Sequence, residues 1–363
     1  MMKTMTRWLV SSSLVVTPIC ASAGAPTLSD VLDASGIEVS GYVDTSYTYS
    51  SQGRTTGRIF DTEPNSFNVN MLGLSISSLP EEGFGGAVVL NAGSDTAVSA
   101  SGGSGNSGNF DVQQAYVNYG YTGGAVMFGK FATLHGAEVI ESKDNLNFSR
   151  SILFGYAIPF THTGVRASYA MEGGWNFMAG INNGWDNLKD DNKSKSIELH
   201  AHYTPSDVWN VAVQAMTGNE QVDGYGSSSA QGNRTLLDIV ASFNASDALS
   251  FVLNIDSGSQ ENAVNGSSKA KWTGIALYGN YVVSDKWRTA VRVESFNDKD
   301  GYRTGSVQKW KEATLTVAYT ASKNVELRGE VRRDSSNVQY FAKDDGSSSK
   351  TQNTLAFEAI YMF

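Results

Sequence analysis

Thr354-Leu355-Ala356-Phe357-Glu358-Ala359-Ile360-Tyr361-Met362-Phe363 closes the chain. Successive side chains of a strand point to opposite faces, so Leu355, Phe357, Ala359, Tyr361 and Phe363 share one face. The alternation runs to the final residue and ends on an aromatic ring. A soluble edge strand could do the same once. Here the pattern recurs along the whole chain, which decides the fold.

Strand 286–297 places Trp287, Thr289, Val291 and Val293 on one face, with Arg288, Ala290, Arg292 and Glu294 on the other. Strand 324–333 sets Val325, Leu327, Gly329 and Val331 against Glu326, Arg328, Glu330 and Arg332. Strand 195–204 sets Ile197, Leu199, Ala201 and Tyr203 against Glu198, His200 and His202. A charge facing lipid at mid-bilayer costs about 2–4 kcal/mol, so the charged faces line a wet interior. In 66–78, Val69 and Met71 disagree in parity with Leu72, Leu74 and Ile76, which predicts a bulge or a misplaced boundary.

The expectation is an all-β, transmembrane antiparallel barrel of about sixteen strands. Strands are predicted near 37–50, 66–78, 84–93, 110–121, 124–131, 161–171, 174–184, 195–204, 208–217, 234–245, 248–257, 270–283, 286–297, 310–321, 324–333 and 352–363. Short turns alternate with long connections at 51–65, 94–109, 132–160, 185–194, 218–233, 258–269, 298–309 and 334–351. Membrane barrels order their loops this way; a soluble sandwich has no reason to. Tyr169 with Trp175, Tyr203 with Trp209, and Tyr281 with Trp287 flank short turns, as an aromatic girdle requires.

Composition agrees. The chain has 363 residues, 37 Gly, 6 Pro, 11% aromatics and a net charge of −9. Without Lys3 and Arg7 the charge becomes −11, from 25 basic and 36 acidic residues, which argues against nucleic-acid binding. Mean hydropathy is −0.25, and no apolar run beyond the first residues suits a membrane helix. Residues 1–23 read as a cleaved secretory signal: basic Lys3 and Arg7, an apolar core from Trp8 to Ile19, and Ala21-Ser22-Ala23 for cleavage. The single cysteine, Cys20, falls in that segment, so a disulfide is not expected. Residues 24–36 form a short periplasmic or lumen-associated segment with a helical turn or two before Gly36, and 37–363 form the barrel.

The terminal strand resembles the assembly signal of bacterial outer-membrane barrels, with Tyr361 and Phe363 as its key residues. Residues 147–167, NFSRSILFGYAIPFTHTGVRA, resemble the signature stretch of the β-barrel porin-2 family, also called OmpL-like. Residues 28–32 (LSDVL), 37–44 (IEVSGYVD) and 126–131 (VMFGKF) are similar too. The resemblance implies an outer-membrane porin passing small hydrophilic solutes or ions, without cofactor and without a named solute. It implies outer-membrane lipids and the barrel-assembly machinery as partners, and wide porins offer the homotrimer as an analogy. A substrate-selective channel on the same barrel is the first alternative, to be told by saturable flux.

In general porins the third external loop folds inward, which makes 132–160 the candidate constriction loop. It carries Glu138, Glu141, Asp144 and Arg150. Arg166, Arg288, Arg292, Glu294, Arg328, Glu330 and Arg332 are the candidate pore-lining residues. Acids on the loop facing wall arginines would set up a transverse field; simple pairing of the arginines with Glu294, Glu326 and Glu330 is the plainer expectation.

A surface enzyme or adhesin on a blocked barrel is the alternative of another class. His135, His162 and Asp144 are the titratable residues it would use, but no spacing singles out a nucleophile. His200 and His202, with Glu198, could share a metal; a polar lumen wall is the preferred reading, so no metal site is expected.

Overall fold

Sixteen strands hydrogen-bond in sequence order and the last returns to the first, closing an antiparallel barrel. The computed structural model describes residues 28–99, 108–222 and 230–363; the predicted signal segment 1–23 lies outside them. We number the barrel strands β1 (Glu38–Ser50), β2 (Phe67–Ser78), β3 (Gly83–Ala92), β4 (Phe110–Tyr121), β5 (Gly124–Ala132), β6 (Thr161–Met171), β7 (Trp175–Asn182) and β8 (Ser196–Tyr203). The second half is β9 (Trp209–Gln221), β10 (Gln231–Asn244), β11 (Leu249–Val264), β12 (Ser268–Ser284), β13 (Trp287–Asp298), β14 (Gln308–Ser322), β15 (Val325–Ser336) and β16 (Thr351–Met362).

A helix, α1 (Leu28–Ser35), precedes β1, and Gly36 ends it at φ +66°. That left-handed conformation is the usual helix stop, and glycine adopts it without a Cβ clash.

Every cross-strand pair has one face toward lipid and one toward the lumen. On β13 and β15 the outward Val291, Val293, Leu327 and Val331 are exposed, while Arg292, Glu294, Arg328, Glu330 and Arg332 are buried inside. Aromatic rings gather at the short-turn end: Trp175 stacks on Tyr203 at 4.4 Å, and Trp287 lies 4.6 Å from Tyr319. These are the positions the girdle needs.

The parity conflict in β2 is a bulge. Asp44 pairs with Met71 and Thr45 with Val69, so Asn70 has no partner in β1. Asn70 and Met71 therefore both face inward, leaving Val69 and Leu72 outward. A second register shift in β4 skips Gln113 between the pairs Val89–Gln114 and Leu90–Val112.

One predicted loop is absent. β11 continues to Val264 and β12 starts at Ser268, so the expected long connection 258–269 is only 265–267. Ser257, Gly258, Ser259 and Gln260 pair with residues of β12 as ladder. Here the outward positions Ser257, Ser259, Lys269 and Lys271 are polar while Gly258, Gln260, Ala270 and Trp272 are buried, so the apolar alternation by which strands are read is lost.

Candidate functional site

The segment between β5 and β6 does not stay outside. It enters the barrel and lies along the wall formed by β13 to β16. A 3₁₀ turn covers Ser142–Asp144 and a short helix, α2, covers Ile152–Tyr156. Ser151 caps α2 by accepting the Phe154 amide at 2.9 Å.

Wall carboxylates hold this loop by its backbone. Glu330 accepts the amides of Phe148 (2.8 Å) and Ser149 (3.1 Å). Glu294 accepts those of Ile152 (2.6 Å) and Leu153 (3.1 Å). Wall arginines take its carbonyls: Arg288 donates to Leu146, Arg292 to Ser149, Arg328 to Ser142 and Arg332 to Arg150. A buried charge needs such partners, and these sites satisfy wall and loop together.

The arginines also pair with acids. Arg292 reaches Glu312 at 2.8 Å and the loop's Glu138 at 2.7 Å. Arg328 reaches Glu326 (2.5 Å) and Glu358 (3.1 Å); Arg332 reaches Asp334 (2.7 Å). Arg288 pairs with Glu326 at 2.7 Å. Glu294 and Glu312 stand directly opposite across β13 and β14, and Arg292 lies within ion-pair distance of both. Glu330 takes loop amides and the Thr316 hydroxyl instead of an arginine.

Glu138 therefore touches Arg292 directly. There is no water-filled gap between this acid and that arginine across which a transverse field could act. Arg150 donates to the Val139, Phe148 and Ile140 carbonyls, so it ties the loop to itself. Arg166 sits on a different wall and grips Glu198 through two bonds, at 2.8 and 2.9 Å.

Hydrophobic packing seals the same side. Ile152, Leu153, Phe154 and Ile158 of the loop join Trp272, Phe296 and Trp310 of the wall in one buried cluster. Phe60 from the β1–β2 connection and Phe341 from the β15–β16 connection complete it. Arg58, also from the β1–β2 connection, bonds Asp61 (2.6 Å) and Asp334 (2.9 Å) inside.

Next to this wall, where β1 pairs with β16, the lining changes. The loop tip, with Glu141, Lys143 and Asp144, faces β1 to β4 across a cavity of about 290 Å³ that Tyr42, Ser75 and Gln114 also line. Lys143 and Asp144 pair at 2.6 Å and remain partly exposed.

His135 and His162 do meet, both on the Thr133 hydroxyl at 3.1 and 3.2 Å. Both are buried, and Asp144 is engaged by Lys143 at the loop tip. Burial first, then the neighbouring His162, Arg166 and His200, push His135 well below its ordinary 6.5. The rings of His200 and His202 lie 6.0 Å apart, and the Glu198 that would complete a metal set is held by Arg166. No cluster of three metal-ligating side chains occurs among the described residues.

Sequence reading missed Glu312, Asp334 and Glu358. Their inward parity on β14, β15 and β16 was the available signal. Arg58 and Asp61 had none, because no periodicity marks a loop.

At the barrel seam, Gly41 and Phe363 exchange backbone hydrogen bonds of 2.8 and 2.9 Å. Tyr361 and Phe363 stack on the outer surface at 6.0 Å.

The fold has solved counterparts. An in-vitro folded OmpT of Vibrio cholerae, in its trimer form, matches with a TM-score of 0.63 at 14% identity, covering 90% of this chain and 99% of that one. The outer-membrane channel DcaP of Acinetobacter baumannii gives 0.61 at 15% identity, covering 90% and 97%. An anion-selective porin from Comamonas acidovorans gives 0.64 at 12% identity, covering 90% and 99%. No curated protein matches the sequence. The family described as "Putative beta-barrel porin-2, OmpL-like" matches residues 36–363. With a closed sixteen-strand barrel and a matching family over nearly its whole length, the chain belongs to this family of bacterial outer-membrane porins.

Proposed function

We propose that small hydrophilic solutes cross this porin by passive diffusion along one side of the lumen, between the tip of loop 132–160 and β1 to β4. Arg292, Arg328, Arg332, Glu294 and Glu330 then act as the clamp that holds the loop. Carrying this reading is the set of four loop amides, from Phe148, Ser149, Ile152 and Leu153, bonded to two wall carboxylates. A loop so fixed narrows the lumen and leaves the cavity between its tip and β1 to β4. The protein carries no catalytic activity of its own in this reading.

Cysteine scanning tests the path. A chain lacking the leader has no cysteine of its own, since Cys20 is the only one. Ser75→Cys should react with a small charged thiosulfonate and cut the single-channel current. Thr316→Cys, beneath the loop, should react far more slowly. Equal reaction at both positions would place the path elsewhere.

Assembly as a homotrimer in outer-membrane lipid, after folding by the barrel-assembly machinery, completes the proposal. The trimer form described for the similar OmpT supports it. Mass measurement of the detergent-folded protein should give three chains per particle.

A further inference from the structure

We propose that the cavity at the loop tip is a binding station for small organic ammonium solutes. This rests on the diffusion path proposed above and names the chemistry of its narrow point.

The cavity has a built polar lining. Its volume, about 290 Å³, corresponds to roughly ten waters of liquid. Tyr42 is 2% exposed, and its hydroxyl has no hydrogen-bond partner among the described residues. A buried phenol without a partner costs stability, so a ligand able to bond it is favoured there.

The charge balance selects the sign. Lys143 is neutralised by Asp144 at 2.6 Å. Glu141 accepts one bond from Gln113 (2.8 Å) and has no cation within ion-pair distance among the described residues. One negative charge is therefore left over at the tip. Asp44 and Asp95 are further acids around Tyr42; Arg150, the nearby cation, is committed to three backbone carbonyls. A carboxylate solute would find no free cation here.

The ring supplies the rest. The Lys143 ammonium already lies 5.9 Å from the Tyr42 ring centroid, so this aromatic face accepts a positive charge. A primary ammonium in the cavity would donate to the Glu141 carboxylate, with Tyr42, Gln114 and Ser75 in the lining around it.

Single-channel recording in potassium chloride with n-butylammonium, butyrate or 1-butanol tests this. Butylammonium should reduce the current at concentrations where butyrate and butanol do nothing. Glu141→Gln should weaken that block by about tenfold, the loss of a charge-assisted hydrogen bond. Should that variant fail to fold, Lys143→Gln gives the opposite sign, because it leaves Asp144 uncompensated and strengthens the block. Open channels equally sensitive to butylammonium and butyrate, or a block unchanged in both variants, would overturn the station while leaving the porin path standing. A folded barrel without conductance would overturn both.

Discussion

The carboxylate of Glu294 accepts the amide of Ile152 at 2.6 Å, joining a lumen-facing strand residue to the first turn of the inserted loop's helix. Its second oxygen takes the Leu153 amide. The strand that forms the wall thus also positions the loop.

Removing that acceptor should free the loop more than the barrel. Glu294→Ala leaves two buried amides without partners, at about 1–3 kcal/mol each. With Glu330→Ala added, four amides are stranded. Planar-bilayer recording should show larger and noisier openings. The heat-induced gel shift of the folded barrel should stay nearly where it is, because the strand ladder is untouched.

Arg292 is a separate case because it is fully buried among Glu138, Glu294 and Glu312. Arg292→Ala leaves Glu138 and Glu294 without their ion-pair partner, with Glu312 held by Arg332 alone, and should cost about 3–5 kcal/mol. Urea unfolding should reveal this as a lower midpoint. Reversal potential in a salt gradient, measured on channels that still fold, should hardly move, because solute does not reach this side chain in the proposed path.

The seam predicts an assembly defect. A Cβ at position 41 would meet the Phe363 ring and the Gly73 carbonyl. Gly41→Val should therefore lower the folded fraction recovered in detergent. Phe363→Ala should lower it too, by loss of the ring at the strand end. Semi-native electrophoresis separates folded from unfolded chains and reads both.

Asp186 gives a pH dependence. It lies in the β7–β8 connection and accepts the amides of Phe160 (2.5 Å) and Thr161 (3.0 Å) where the inserted loop re-enters the wall. Burial raises its pKa from the ordinary 3.8 to about 6, against the lowering by those amides. The folded state thus binds the proton more tightly than the unfolded one. Its contribution to stability is complete below about 4 and is lost as pH rises through about 6. Asp186→Asn keeps an acceptor oxygen and tolerates the φ of +59° at this position. Thermal unfolding at pH 4 and pH 7 should show a stability difference in the variant that is shifted in favour of pH 7.

The barrel was legible because its pattern is local. Alternation in β13, β15 and β16, turns between them, and paired aromatics need only strand geometry and a bilayer. The β2 bulge was readable too, since a break in parity shows in one strand. The long β11–β12 hairpin was not, because its outward positions Ser257, Ser259, Lys269 and Lys271 are polar and leave no apolar period.

Sequence by itself determined the strand order, the inward charges and the outward apolar face, because side-chain direction follows from backbone period. Tertiary structure alone decided that the inserted loop lies against the arginine wall and that Glu138 meets Arg292, residues 154 apart in the chain. It also decided that Tyr42 and Glu141 line one cavity at the loop tip. Contacts across a lumen depend on how the barrel closes and on what fills it, and no local period records either.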